Sequence, residues 1–207
     1  MKTFHVICAG EEEKLDFAVK GGDCLVACDG GLEYAEKYGL KCDVVLGDFD
    51  SLGYVPQGGS VIRLPCEKDD TDTFAAVKLG MARGYDEFVL HCASGGEIDH
   101  TLANVSALIY LAKAGKRNKM TDKNRTISAV CNGTARFKKS ASGRISVFCA
   151  DESCFVKIKG LKYEYDGRLE NSFPLGVSNE FAGKQSSIQV EGTAVIIYPC
   201  GEDIEIT

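Results

Sequence analysis

The sequence predicts an α/β fold: an N-terminal Rossmann-like domain with a parallel sheet, residues 1–123, followed by a smaller antiparallel β domain, residues 124–207. Two observations predict this division. Up to about residue 120, short runs that are apolar throughout alternate with segments whose apolar residues recur every three or four positions, as in a buried parallel sheet covered by helices. Beyond the polar stretch 113–119, the apolar runs are short and some alternate with period two, which is typical of antiparallel strands.

The first half contains five predicted strands and three predicted helices. Each strand segment is apolar along its length, so both of its faces are expected to be buried. The predicted strands are 4–9, 24–28, 43–46, 61–64 and 87–92. The predicted helices are 32–38, 73–83 and 102–114.

The second half contains four short predicted strands, at 144–149, 155–159, 187–191 and 193–198. Glu191-Gly192 separates the last two, and this pair is a turn signal, so a hairpin is expected there. The segment 126–131 is also strand-like and fits either sheet.

Composition excludes several classes of protein. The 207 residues include 30 acidic and 24 basic side chains, a net charge of −6, which disfavours binding to nucleic acid. No apolar run reaches the roughly 18 residues of a membrane span, and the apolar start is too short for a signal peptide, so a cytoplasmic protein is expected. The 10 cysteines form no Cys-x-x-Cys pair, so we expect small buried thiols and not a zinc site.

Glycine and aspartate follow four successive predicted strands. Open parallel sheets bind ligands at the carboxyl ends of their strands, so these residues are expected to meet at one edge. The four segments are Asp29-Gly30-Gly31, Gly47-Asp48-Phe49-Asp50-Ser51, Lys68-Asp69-Asp70-Thr71-Asp72 and Ser94-Gly95-Gly96-Glu97-Ile98-Asp99-His100.

Carboxylates on neighbouring loops suit a hard cation. Asp48 and Asp50 lie two residues apart on a tight loop, and Asp72 follows the next strand, so together they are candidates to hold Mg²⁺ beside substrate phosphates. Two structural alternatives remain open. Asp48 and Asp50 fit an Asx turn, and the acids before residue 73, like Asp99, fit helix N-caps. The P-loop motif is absent, and no Gly-x-Gly-x-x-Gly follows the first strand.

Taken in order, these motifs resemble the thiamine pyrophosphokinase (thiamine diphosphokinase) family, bacterial type. The second half adds two further matches, and the resemblance spans nearly the whole chain. These two segments are Gly160-Leu161-Lys162-Tyr163 and Ser178-Asn179-Glu180-Phe181, and Leu102-Ala103-Asn104 completes the matches of the first half.

The resemblance implies an ATP-binding α/β domain, a β-sandwich domain that helps to bind thiamine, and a homodimer whose active site lies between subunits. The implied reaction transfers the diphosphoryl group of ATP to the hydroxyl of thiamine and releases AMP. The implied metal-binding and catalytic residues are Asp48, Asp50 and Asp72, with Mg²⁺ as the cofactor. The implied nucleotide-binding residues are Asp29, Gly30, Gly31, Lys68, Asp69, Thr71, Ser94, Gly95, Gly96, Asp99, His100 and Asn104. The implied thiamine-binding residues are Ser178 and Asn179.

One position departs from the family pattern. Glu97 stands where the family usually has an arginine, which can clamp a phosphate. Lys68 and Arg83 are candidate replacements.

Two alternative functions stay open: a nucleotidyl- or glycosyltransferase that uses the Asp-x-Asp pair, and a non-catalytic homologue that binds nucleotide or thiamine. Tyr163 and Phe181 are candidates to face the thiamine rings.

Overall fold

The chain is a mixed α/β protein. The computed structural model describes residues 2–50, 52–56, 60–65 and 69–207. The backbone divides into two compact units. The first unit extends to Ala107 and includes Met120–Lys123, and the second comprises Leu108–Lys119 and Asn124–Thr207.

The first unit is built on a parallel sheet. Its strands are β1 (Thr3–Ile7), β2 (Cys24–Cys28), β3 (Val44–Gly47), β4 (Ser60–Arg63) and β5 (Glu87–His91), and their order in the sheet is β5-β1-β2-β3-β4. The helices are α1 (Gly31–Lys37), α2 (Asp72–Ala82) and α3 (Ile98–Lys113), followed by the strand β6 (Arg117–Thr121). Both α3 and β6 contribute residues to the two units.

Burial explains why the strands of the first unit are apolar throughout. Every residue of β2 and β3 is buried, as in a sheet covered on both faces, whereas the edge strand β4 is partly exposed. The five strands and three helices predicted for this half are confirmed, with bounds that shift by up to four residues. The largest shift is at α3, which begins at Ile98, four residues before the predicted start. The prediction started too late because most of the first turn is polar and gives little apolar periodicity.

The second unit consists of antiparallel strands around one apolar core. The strands are β7 (Arg125–Phe137), β8 (Arg144–Cys149), β9 (Ser153–Lys159), β10 (Tyr165–Glu170), β11 (Asn179–Glu180), β12 (Ser186–Pro199) and β13 (Ile204–Ile206). Along its length β12 pairs with β7, while its other edge pairs first with β9 and then with β8. Phe137, Ile188 and Tyr198 are among the large side chains buried in this core.

The expected hairpin at Glu191-Gly192 is wrong. Both predicted strands are parts of the single strand β12, whose register against β7 shifts between Val190 and Thr193. Two residues there oppose Asn132, which is a β-bulge, and Gly192 adopts φ 95° with its amide donating to Asn132 Oδ1 at 2.8 Å. The turn signal therefore reflected the left-handed backbone of a bulge, a conformation that glycine tolerates in either setting.

The cysteines form no disulfide within the described residues. All nine that the structure describes are free, and six of these nine are buried. Burial raises the pKa of the Cys8 thiol to about 12 and that of Cys92 to about 11, so both are protonated at neutral pH. No helix in the described part of the chain has the length and apolar character needed to cross a membrane.

Candidate active site

A cleft of about 450 Å³ opens at the carboxyl ends of the strands of the first unit. Loops that follow β1, β2, β3 and β5 line it, together with the first turns of α2 and α3. Its described wall consists of Cys8, Ala9, Gly10, Cys28, Asp29, Asp48, Asp70, Thr71, Asp72, Thr73, Ala93, Gly95, Glu97, His100, Thr101 and Asn104. The strand-end loops that the sequence singled out therefore do meet at one edge of the sheet.

Three aspartates in this cleft form a compact group. One carboxylate oxygen from each of Asp29, Asp48 and Asp72 lies within 4.8 Å of the others, and all three side chains are partly buried. Asp29 is held directly after β2 by its amide, which donates to the Leu46 carbonyl at 2.9 Å and so joins the ends of β2 and β3. A set made only of carboxylate oxygens is typical of a site for a hard divalent cation.

The structure brings Asp48 into this group but leaves Asp50 outside it. Between them, Phe49 is 3% exposed and packs in an apolar cluster with Ala27 and Leu32, at φ 65°. Asp50 is exposed, and its amide donates to Asp48 Oδ1 at 3.2 Å. The expected pair thus contributes one carboxylate to the cleft, and Asp29, which the resemblance assigned to nucleotide, occupies the third position.

The start of α2 combines a helix cap with cleft residues. Thr71 is the N-cap, and its hydroxyl accepts the Phe74 amide at 3.2 Å. Asp72 occupies the first turn, where a carboxylate is favoured by the helix dipole. Asp70 lines the cleft and forms an ion pair with Lys78, whereas Asp69 is exposed and lies off the wall. The N-cap of α2 is therefore a threonine and not one of the acids, whereas Asp72 combines a favourable place in the first turn with a place on the cleft wall.

The loop between β5 and α3 is held against α3 by Asn104, which lies on that helix. This side chain is 7% exposed and donates from Nδ2 to the Ala93 carbonyl at 2.7 Å. Gly95, with φ 78°, and the exposed His100 line the cleft. The other predicted residues of this loop, Ser94, Gly96 and Asp99, do not.

Several predicted nucleotide residues serve the packing of the loops. A Cβ atom on Gly31 would lie 2.2 Å from the Ile7 carbonyl oxygen, so α1 approaches β1 more closely than any side chain permits. Ser94 Oγ donates to Asp122 at 3.1 Å, and Asp99 Oδ1 accepts the His100 amide at 2.8 Å. Gly30 precedes α1 as its N-cap residue. Lys68 lies outside the described residues.

The described wall of the cleft contains no lysine or arginine. Glu97 does lie on that wall, so the position at which the family usually has arginine faces the cleft with the opposite charge. Arg83 is not its replacement, because it caps the far end of α2 from Asp72. The sequence reasoning missed Thr73 and Thr101 on the cleft wall. Each directly follows a predicted site residue, Asp72 and His100 respectively, so adjacency to the motif was the available signal.

In the second unit, Ser178 and Asn179 differ in exposure. Asn179 is 8% exposed, and its Oδ1 accepts the Tyr163 amide at 3.0 Å while its Nδ2 donates to the Tyr163 carbonyl at 2.7 Å. Ser178 is exposed, with φ 62°, and its amide donates to Ser146 Oγ at 3.0 Å. Tyr163 is 61% exposed. The Phe181 ring instead packs against the core, with its centroid 5.1 Å from that of the Phe137 ring.

Comparison with known proteins identifies the fold and the family. A family model described as "Thiamin pyrophosphokinase, catalytic domain" matches residues 18–120, about half of the chain, whereas no curated protein matches the sequence. The structure is similar to thiamin pyrophosphokinase from Geobacillus thermodenitrificans, with TM-score 0.81 and 22% identity over 95% of this chain and 97% of that chain.

Two further solved structures agree. Thiamine pyrophosphokinase from Bacillus subtilis has TM-score 0.79 and 19% identity, covering 95% of this chain and 98% of that chain. The yeast thiamin pyrophosphokinase has TM-score 0.73 and 15% identity, covering 100% of this chain and 86% of that chain. At these identities the structures establish the shared fold, and the family model covers the part of the cleft wall from Cys28 to Asn104. The chain therefore belongs to the thiamin pyrophosphokinase family of enzymes.

Proposed function

We propose that this protein is a thiamine diphosphokinase that transfers the diphosphoryl group of ATP to the hydroxyl of thiamine, giving thiamine diphosphate and AMP. The observation that carries the proposal is the group formed by Asp29, Asp48 and Asp72 in a cleft that belongs to the matched catalytic domain. A polyphosphate substrate needs a cation beside it, and three carboxylates are suited to hold one.

We propose Mg²⁺ as that cation, with Asp48 and Asp72 as ligands. Asp29 is the third ligand on the geometry, because its carboxylate lies in the group and that of Asp50 does not. Asp50 remains the ligand that the family resemblance implies. Bound Mg²⁺ would neutralise charge on the ATP phosphates. Mg²⁺ also accepts few protein ligands and keeps positions for water and phosphate, which agrees with a three-carboxylate site.

The protein's part in the reaction is positioning. The thiamine hydroxyl oxygen forms a bond to the β-phosphorus, the bond from that phosphorus to the oxygen bridging to the α-phosphate breaks, and AMP leaves as the hydroxyl proton is released. Phosphoryl-type transfer depends mainly on alignment and on compensation of charge. We propose that the Gly95 backbone, Thr71 and His100 contact the nucleotide, since all three line the cleft.

Thiamine recognition is assigned to the second unit. We propose that Ser178 contacts thiamine directly and that Asn179, buried and bonded to both polar backbone groups of Tyr163, holds the Tyr163 ring for contact with the substrate. The family resemblance implies a homodimer in which these residues complete the cleft of the other subunit. The free cysteines of the described chain agree with a cytoplasmic location.

Product analysis tests the function. The protein is incubated with ATP, Mg²⁺ and thiamine, and the nucleotide and thiamine products are separated and identified. AMP and thiamine diphosphate in equal amounts are expected. ADP with thiamine monophosphate, or thiamine binding without any AMP, would contradict the proposal.

Mixing two impaired variants, with thiamine held well below its KM so that the Asn179→Ala protein has little activity, tests the shared site. Asp72→Asn removes a cleft carboxylate and Asn179→Ala removes the Tyr163 anchor, so each homodimer is impaired at both sites. If each site combines the two units from different subunits, exchanged heterodimers contain one intact site, and activity returns to about a quarter of the wild-type value. No recovery after verified subunit exchange would contradict the intersubunit site.

A further inference from the structure

A row of buried titratable side chains lies next to the cleft wall in the first unit. His5 Nδ1 lies 3.1 Å from His91 Nε2, and the outer nitrogens of the pair face Asp23 at 3.8 Å and Glu13 at 3.7 Å. Phe17 stacks on both imidazole rings, with centroids 4.8 Å and 4.0 Å away. The proposed reaction uses none of these side chains.

Glu13 connects this row to the backbone of the cleft. Its Oε1 accepts the Cys92 amide at 3.0 Å and the Thr121 hydroxyl at 2.6 Å. From the other side, the Gly10 amide donates to the Cys92 carbonyl at 2.9 Å. Both polar backbone groups of Cys92 are therefore held by the loop that follows β1.

Cys92 requires such restraint because its backbone is strained. It adopts φ 50°, a left-handed conformation that is unfavourable for a side chain of this kind and persists where the surroundings enforce it. Ala93, the next residue, and Gly95, three residues after Cys92, line the cleft. The direction in which the chain leaves Cys92 thus sets the position of the loop to which the nucleotide is assigned.

We propose that Glu13 is a positioning residue for nucleotide binding, acting through the Cys92 peptide to hold the 92–96 loop against the cleft. The proposal rests on the proposed function for its substrate, and it extends the site to a carboxylate that does not touch the cleft. Thr121 supports Glu13 from β6, and His91 faces the same oxygen, with His5 and Asp23 behind it.

The surroundings of Glu13 keep it ionised and therefore a strong acceptor. Burial acts to raise its pKa, but the adjacent His91 ring and hydrogen bonds from the Thr121 hydroxyl and the Cys92 amide outweigh burial, so the pKa lies below the ordinary glutamate value. A buried carboxylate without such partners would be costly. Hydrogen bonds to a charged group are also stronger than neutral ones, so the charge itself stabilises the strained peptide.

Glu13→Gln tests the proposal with two measurements. Steady-state kinetics should give a KM for ATP about tenfold higher, with kcat and the KM for thiamine within twofold of wild type. Amide hydrogen exchange without substrates should be about tenfold faster at 92–96 and unchanged in β2. Thr121→Val, which removes one of the bonds to Glu13, should move both quantities in the same direction by about threefold.

Glu12→Gln is the matched control, because Glu12 lies in the same loop but contacts Lys37 on α1 and Tyr38, the residue directly after α1. Glu12→Gln should leave the ATP KM and the exchange at 92–96 unchanged. Unaltered exchange in both Glu13→Gln and Thr121→Val would overturn the positioning role, whether or not the wild type is active. A wild-type protein that makes no AMP would instead refute the proposed function, and the exchange measurement would still stand.

Discussion

The two units place their candidate functional residues in different ways. In the first unit, Asp29 and Asp48 directly follow buried parallel strands, so a short stretch of sequence is sufficient to bring them to one edge. In the second unit, Asn179 depends on hydrogen bonds to Tyr163, sixteen residues away. The first arrangement follows from strand topology alone, and the second requires long-range pairing.

The chemistry of the two units differs as well. The first unit collects carboxylates, and three of its non-glycine residues, Asp29, Phe49 and Cys92, have positive φ at strand ends. The second offers neutral hydrogen-bonding groups and an exposed ring at Tyr163. This contrast favours a division in which the first unit handles the charged phosphates and the second recognises an organic ring. The predictions below test the residues on which that division rests.

The largest effect is expected for Asp72→Asn. Replacing this carboxylate by an amide removes one charge from the cation site without changing the shape of the side chain, so kcat should fall about a thousandfold. AMP release at saturating Mg²⁺ measures the effect. The melting temperature should stay close to the wild-type value, because Thr71 remains the N-cap of α2 and only the favourable charge in the first turn is lost. Near-normal turnover would remove Asp72 from the catalytic group.

Sequence reasoning found the edge of the sheet but not every residue on the cleft wall. The parallel topology predicted that aspartates would collect at the strand ends, and three of the six assigned to the site, Asp29, Asp48 and Asp72, do form one group. The other three are Asp50, Asp69 and Asp99. The topology did not predict whether Asp48 or Asp50 faces the cleft. That choice depends on a tertiary contact, the burial of Phe49 against Ala27 and Leu32. The spacing of two aspartates on a loop carries no information about φ at the residue between them.

The second unit was harder to predict for a related reason. Residues on both sides of Gly192 pair with the same strand β7, so 186–199 is continuous, and only that pairing distinguishes a bulge from a turn. Likewise the polar stretch 113–119 concealed the start of β6, where Asn118 is buried and bonds to both backbone groups of Ala129. A buried polar residue with distant partners has no local signature.

The second prediction decides which carboxylate is the third metal ligand. If Asp29 is the ligand, Asp29→Asn should weaken the apparent affinity for Mg²⁺ about 30-fold, and Asp50→Asn should change it by less than threefold. Activity measured over a range of Mg²⁺ concentrations gives both values. The reverse order would restore the set that the family resemblance implies and would mean that Asp50 turns inward with substrate.

The third prediction tests the role of the second unit. Asn179→Ala leaves the amide and carbonyl of Tyr163 without their buried partner, so the ring should lose its fixed position. The KM for thiamine should rise about tenfold, while the KM for ATP stays within twofold. An equal rise in both constants would indicate that the two units do not divide the substrates between them.

The smallest effect is expected for Glu97→Arg, which tests the charge of the cleft wall. The described wall has three clustered carboxylates and no lysine or arginine, so Glu97 adds a negative charge on the side where phosphates are expected. An arginine there supplies donors that pair with a phosphate, and the KM for ATP should fall about fivefold. Because Glu97 is exposed, water and salt screen part of this gain, so it should shrink further at high ionic strength. Glu97→Gln is the matched control, because it removes one negative charge whereas Glu97→Arg changes the charge by two: about half of the gain with Gln would mean that the effect follows the charge of the wall, whereas a gain found only with Arg would assign the effect to a direct phosphate contact.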